Sequence, residues 1–207
     1  MLKQKVIDAI VTAGAVDLSP EPRFPCRGGQ LSTVYCDLRR VLSHPRERQV
    51  VADALGDVLA DMPHGFDTVA ATASGAIGWG VLAAAHPHVQ KPLVYVTKEE
   101  KQHGSRSRIH GDLPANHRVT LVEDVVNLGG SAAQAVETLR SEGGARVFDV
   151  LAIVDYGHPL ELEALRPPVR LRSLVSIHEL IELAADRQEL TRNQVRAVLS
   201  YLEGVTQ

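Results

Sequence analysis

The sequence predicts an α/β fold: a doubly wound, mostly parallel sheet flanked by helices. Three observations predict it. Between residues 68 and 154 short apolar runs alternate with helical patterns of roughly ten residues, the rhythm of right-handed βαβ units. One run, Val119 to Val122, ends in adjacent carboxylates, Glu123 and Asp124, and then in the turn Gly129-Gly130-Ser131 that opens a helix. Strand, acids, glycines and helix start thus fall together at a carboxyl edge, where open α/β sheets bind ligands. Finally, 207 residues suffice to bury a core in one domain, with room for a small appended layer.

Residues 2 to 13 place Val6, Ile7, Ile10 and Val11 on one helical face, and the pattern stops at Gly14. Residues 22 to 38 read as a small hairpin, two short strands around the Gly28-Gly29 turn. Ser43 is positioned to cap a helix running to about Met62, striped by Val50, Val51, Ala54, Leu55, Val58 and Leu59. There follow a strand at Thr68 to Ala71, a helix at Ile77 to Ala85, a strand at Leu93 to Val96 and a long polar loop. Then come a strand at Val119 to Val122, a helix at Ser131 to Ser141 and a strand at Val147 to Val154. After Asp155 the pattern changes to a Pro-containing segment, a short strand near Leu171 to Leu174 and two helices. Ser176 with Glu179, and Thr191 with Gln194, have capping-box spacing. The core is expected at about 44–155, with a separate small layer built from about 1–43 and 156–207.

A net charge of -3 with mixed signs excludes a general nucleic-acid binder, although Lys and Arg cluster in Lys98 to Arg108 and Arg166 to Arg172. No run is long and apolar enough to span a bilayer, and the charged amphipathic N-terminus lacks a signal peptide's apolar core, so a cytoplasmic location is expected. Cys26 and Cys36 carry no CxxC or zinc spacing and read as two thiols in a reducing compartment.

Several loops should meet at the carboxyl edge. Thr72-Ala73-Ser74-Gly75-Ala76 joins a strand to a helix with small residues, which suits an anion at a helix start or simply a tight turn. It is neither GxGxxG nor Walker A. The loop from Thr97 to His117 concentrates Lys98, Lys101, His103, Arg106 and Arg108 and could close over a polyanion, or be a solvated basic loop. Glu123 and Asp124 could be acid-base groups, metal ligands or acceptors for sugar hydroxyls. The glycine turn of Asn127 to Ser131 nearby favours a phosphorylated sugar. A fourth segment, Phe24 to Gly29 with Arg27 followed by Ser32 to Arg39, could roof such a site.

On these motifs the chain resembles the type I phosphoribosyltransferases, and within them is most similar to orotate phosphoribosyltransferase. Tyr95-Val-Thr-Lys-Glu-Glu-Lys-Gln-His-Gly104 with Ile109-His-Gly111 resembles the family's mobile catalytic loop. Val122-Glu-Asp-Val-Val-Asn-Leu-Gly-Gly-Ser131 resembles its signature for phosphoribosyl pyrophosphate. The Ser32 to Arg39 segment and the Thr72 to Ala76 loop follow in the expected order, so the likeness covers roughly the whole length. It implies the doubly wound core with a small hood from the N- and C-terminal segments. It implies transfer of a 5-phosphoribosyl group from phosphoribosyl pyrophosphate to a pyrimidine base, orotate, with Mg2+ bridging donor oxygens. It also implies a homodimer in which the loop 97–111 reaches the neighbouring site. By the same resemblance Lys101, His103 and Asp124 are catalytic. Substrate binding falls to Arg27, Thr72, Ser74, Gly75, Lys98, Glu123, Asp124, Asn127, Leu128, Gly129, Gly130, Ser131 and Tyr156; no residue is assigned as a direct metal ligand.

The chain departs from the family pattern at informative positions. Thr97 stands where Arg is usual, removing one cation; Asn127 and Leu128 stand where threonines are usual, shifting phosphate binding towards backbone N–H groups and Ser131. His110 replaces an acid, and Tyr156 replaces an Arg that recognises orotate, a charged bidentate contact that a phenol does not reproduce. Three readings therefore stand: an orotate enzyme with a variant site, a transferase for a different base, and a non-catalytic nucleotide-binding regulator.

Overall fold

The computed structural model describes residues 2–25, 30–99, 107–158, 160–188 and 190–204. It divides into two compact units, Met1–Val50 with Val175–Gln207, and Val51–Leu174. The boundaries fall inside a helix and inside a strand.

The first unit begins with helix α1 (Leu2–Thr12), which buries the predicted stripe of Val6, Ile7, Ile10 and Val11. It ends before Gly14, whose φ of +63° suits a residue without Cβ. Four short strands follow: β1 (Val16–Leu18), β2 (Phe24–Pro25), β3 (Leu31–Ser32) and β4 (Val34–Cys36). The single hairpin expected over 22–38 is thereby corrected. β2 pairs with β3 antiparallel, whereas β4 pairs with β1, Val16 opposite Cys36. Next comes a short helix, α2 (Arg39–Leu42), and Ser43 occupies its C-cap rather than the N-cap of the long helix. That helix, α3 (Pro45–Ala60), starts at Pro45, whose fixed φ and missing N–H fit a first helical position.

The second unit holds a six-stranded sheet. Its elements are β5 (Thr68–Thr72), α4 (Ile77–Ala84), β6 (Leu93–Val96), β7 (Ile109–His110), β8 (Arg118–Val126), α5 (Gly130–Ser141), β9 (Arg146–Asp155), α6 (Leu160–Glu163) and β10 (Arg170–Ser176). Strand order is β10-β9-β8-β5-β6-β7. The pairs β5–β6, β5–β8 and β8–β9 are parallel. Within the segment expected to be all loop, β7 forms and runs antiparallel to β6, Tyr95 opposite His110. The chain leaves β5 for β6 on one side and returns to β8 on the other, so β5 and β8 flank a topological switch point.

Residues on alternate faces of these strands meet different helices, as a period of two requires. Ala70, Leu121, Val150 and Ala152 share a buried cluster with Ala132, Ala135, Val136 and Leu139 of α5. On the other face α4 lies so close to Ala71 that a Cβ on Gly80 would sit 2.6 Å from the Ala71 Cβ. Full burial of each large aliphatic side chain here contributes about 1.5–3 kcal/mol. His86 packs its ring over Gly56, where an added Cβ would lie 2.1 Å away.

The chain closes the first unit with α7 (Ile177–Arg187) and α8 (Arg192–Gly204). Both predicted capping boxes form. Ser176 N–H donates to Glu179 Oε2 at 2.9 Å while Glu179 N–H donates to Ser176 Oγ at 3.4 Å. Thr191 N–H donates to Gln194 Oε1 at 2.9 Å and Gln194 N–H to Thr191 Oγ1 at 3.4 Å. Among the described residues no helix is long and apolar enough to cross a membrane.

Candidate functional site

At the carboxyl edge of the sheet, around the switch point, the second unit gathers the segments after β5, β6, β8 and β9. Strand β8 is longer than its apolar core. Val125 and Val126, both β-branched, continue the ladder to Val154 and Asp155 of β9. Glu123 and Asp124 therefore lie inside the strand rather than beyond its end. Neighbouring residues of a strand face opposite ways, and the pair divides accordingly.

Glu123 is on the α5 face, level with Ala152, and is only 3% exposed. Its carboxyl is pushed up to about 8, first by loss of hydration, then by the Asp124 charge; the Thr72 hydroxyl and the Asp124 N–H oppose the shift. Oε1 of Glu123 is buried without a hydrogen-bond partner. Asp124 leans instead over the loop after β5: a Cβ on Gly75 would sit 2.0 Å from Asp124 Oδ2. Its Oδ1 accepts from Val125 N–H at 2.9 Å. The glycine is thus explained by the carboxylate stacked on it.

The loop at Ala73-Ser74, which has a cis peptide bond, is tied to β6 by Ala73 N–H donating to Val96 O at 2.8 Å. Ser74 is exposed. Lys98, also exposed, stands just past β6. A small cleft is lined by Thr72, Thr97, Lys98, Ser131, Gln134 and Thr138, so the end of β5, the segment after β6 and helix α5 share it. Gln134 and Thr138 are lining residues beyond those expected from the sequence. Their signal was there, because 131, 134 and 138 fall on one face of a helix.

Between β8 and α5, Gly129 takes φ +89° at the N-cap, with no side-chain cap and no acid in the first turn of α5. The first turn's N–H groups have no intrahelical acceptors, and the helix end carries partial positive charge. Asn127 and Leu128 precede it, with Leu128 39% exposed. Helix α6 closes on this turn: Glu161 N–H donates to Leu128 O at 3.0 Å. A Cβ on Gly129 would meet Leu162 Cγ at 3.0 Å, and one on Gly130 would meet Glu161 Oε2 at 2.6 Å. Glu161 is a second feature the sequence did not reveal, since its neighbour is some thirty residues away along the chain. Tyr156, half-buried, donates its N–H to Val126 O at 2.9 Å, extending the β8–β9 ladder to the site's edge. Arg27, Lys101 and His103 lie outside the described residues, as does Cys26.

A protein from Staphylococcus saprophyticus described as orotate phosphoribosyltransferase is 31% identical over 206 residues, covering 99% of this chain and all of that one. The chain belongs to the orotate phosphoribosyltransferase family. A family relative from Cutibacterium acnes is 34% identical over 197 residues, 93% of this chain and 88% of its own. The crystal structure of orotate phosphoribosyltransferase from Aeropyrum pernix superposes with a TM-score of 0.71 at 34% identity, covering 86% of this chain and 97% of that one. No protein-family model matches the sequence. Membership accounts for the doubly wound sheet and for an enzyme of the pentosyltransferase class.

Proposed function

We propose that the protein transfers the 5-phosphoribosyl group of phosphoribosyl pyrophosphate to orotate, releasing pyrophosphate. The observation that supports the reading is the cleft shared by Thr72, Lys98 and Ser131, where the first turn of α5 and a lysine line one space and Thr72 hydrogen-bonds the buried Glu123. In the reaction a base nitrogen forms a bond to C1 of the ribose. The bond from C1 to the pyrophosphate oxygen breaks, and pyrophosphate leaves with the electron pair. Charge builds on the leaving group, so Lys98, with Lys101 and His103, lowers the barrier by meeting it with fixed positive charge. Backbone N–H groups of Gly129 to Ser131 and the Ser131 hydroxyl grip the 5-phosphate. Asp124 accepts from the ribose hydroxyls. Glu123, held protonated near neutral pH by burial, donates or shares a proton there and adds no second negative charge beside the diphosphate. Thr72, Ser74 and Gly75 take the pyrophosphate side, Arg27 and Tyr156 the base side, and Asn127 and Leu128 shape the turn.

Mg2+ fits this donor set as an ion held chiefly by substrate. Among the described residues no group of three or more His, Cys, Asp or Glu could hold a metal. Asp124 would offer one hard oxygen ligand, within what Mg2+ takes from protein when phosphates and water supply the rest. When bound, the ion neutralises charge on the diphosphate. The reading carries with it a homodimer in which the segment 97–111 serves the neighbouring site, as the resemblance implies.

Tyr156 favours a second reading, a transferase for an uncharged base, because a phenol can stack or hydrogen-bond but cannot pair with a carboxylate. One assay decides. The protein is given phosphoribosyl pyrophosphate, Mg2+ and a panel of bases, and pyrophosphate release is measured. Release with orotate is expected. Release only with another base establishes the second reading, and none with any base would leave a binding protein of the same fold.

A further inference from the structure

His110, a neighbour of the cleft-lining Thr97, has no part in the chemistry above, yet its contacts converge on the backbone that carries Lys98. Tyr95 and His110 are direct partners across β6 and β7. Their rings stack with centroids 4.7 Å apart and planes 20° from parallel. The Thr97 hydroxyl lies 3.0 Å from Glu99 O, 3.4 Å from Arg108 O and 3.3 Å from His110 Nε2. A hydroxyl has one proton to give. The nearest acceptor is Glu99 O, so Oγ1 is left to accept, and the hydrogen of the third contact belongs to Nε2 of the imidazole. Both the neutral Nε2–H tautomer and the imidazolium supply it.

The backbone is fixed on the same side, with Thr97 N–H donating to Arg108 O at 2.9 Å. Lys98 therefore sits between a residue held by its side chain and backbone and a residue whose carbonyl is held by that same side chain. Its own side chain is exposed at the cleft.

We infer that His110 is a positioning residue: braced by Tyr95, it orients the Thr97 hydroxyl, which clamps the backbone on both sides of Lys98 and so sets the cleft's grip on the diphosphate. The inference rests on the reading of Lys98 as a pyrophosphate contact. It assigns the ring nitrogen, not merely the ring, a role. Phenylalanine at 110 would keep the stack and lose the clamp, whereas glutamine would restore a donor amide near the position of Nε2.

The test uses the full chain and phosphoribosyl pyrophosphate with Mg2+, its dissociation constant measured by calorimetry alongside KM, kcat and melting temperature. His110→Phe and Thr97→Val should each weaken binding about threefold to tenfold, as coupled neighbours do, and the double variant should lose no more than the larger single. His110→Gln should recover at least half of the loss on a logarithmic scale, with KM moving more than kcat. Independent losses that multiply in the double variant, or His110→Phe binding as the wild type does, overturn the inference. Should His110→Phe not fold, Thr97→Val against Thr97→Ser tests the same clamp without touching the stack, and equal binding by these two overturns it as well. Lys98→Ala separates the two levels. If it weakens binding while His110→Phe does not, only the positioning role fails; if it too has no effect, the reading of Lys98 falls and the inference with it.

Discussion

Replacing Glu123 by Gln probes the most unusual electrostatic feature of the molecule. In the unfolded chain this carboxyl ionises near 4.5, and in the folded protein burial and the Asp124 charge raise it to about 8. A raised acid favours folding only while it is protonated in both states. Its contribution is intact below about 4.5, declines as the pH climbs, and is lost once the pH passes through about 8. At pH 7 the unfolded chain carries Glu123 ionised and the folded chain carries it protonated, an imbalance of roughly 3 kcal/mol against folding. Glu123→Gln removes the titration and keeps the volume and the acceptor for the Thr72 hydroxyl. The melting temperature of the variant relative to wild type should therefore rise steadily between pH 5 and pH 8. At about 2–4 °C per kcal/mol for a chain of this size, the relative gain by pH 7 is roughly 6–12 °C. The new amide adds an offset independent of pH, so the slope is the diagnostic. Scanning calorimetry from pH 5 to pH 9 measures it. A difference that stays flat across that range, or one that shrinks, would refute the burial argument, and Glu123 would then be an ordinary ionised ligand. Turnover should fall in the same variant, because the amide cannot share a proton with a ribose hydroxyl in both directions.

Gly75→Ala drives a methyl group to within 2.0 Å of Asp124 Oδ2, so the carboxylate must swing aside; kcat/KM should fall about tenfold or more with a melting temperature lowered by only a few degrees, and unchanged kinetics would remove Asp124 from the site. Ser131→Ala should raise KM for phosphoribosyl pyrophosphate about tenfold to a hundredfold, the range of a hydrogen bond to a charged group, while Leu128→Ala should change it less than twofold on the same rough scale; the reverse order in titrations would contradict backbone-led phosphate binding. Tyr156→Arg should raise kcat/KM for orotate relative to uncharged bases, since it supplies a bidentate partner for a carboxylate; an unchanged ratio in the base panel would place recognition elsewhere.

The sheet, its order of elements and the two C-terminal capping boxes were legible because each is written in local pattern: β-branched runs, helical stripes, and a Ser or Thr three residues before a Glu or Gln. What escaped was non-local or depended on a boundary. β1 is three residues long and becomes a strand only by pairing with β4. β7 is two residues long and exists because Tyr95 and His110 stack across it. At β8 two charged residues look like the close of an apolar run, whereas Val125 and Val126 carry the ladder onward. The site was legible as a set of loops. Its internal geometry was not, since neither Asp124 over Gly75 nor Glu161 over Gly130 has a sequence signature.

The boundary error at β8 changes the chemistry as well as the secondary structure. Two acids in a loop could both swing to one ligand, and pairing them as equal hydroxyl acceptors would follow. Two successive acids inside a strand start from opposite sides of the pleat, so even with their carboxyls close enough to interact they do not serve a ligand as equals. Glu123 is then taken out of water beside Thr72 and loses its charge near neutral pH, while Asp124 stays at the loop after β5 and keeps company with Gly75. One strand position thus separates an acid that is neutral when the protein works from one that is charged. A similar division governs the phosphate turn. Leu162 closes the space beside Gly129, whose φ of +89° already suits a residue without Cβ, so the turn presents backbone N–H groups as its donors. On the proposed reading Asn127 and Leu128 then need supply no side-chain donors, and Tyr156 on the base side is the position at which the base panel tests recognition most directly.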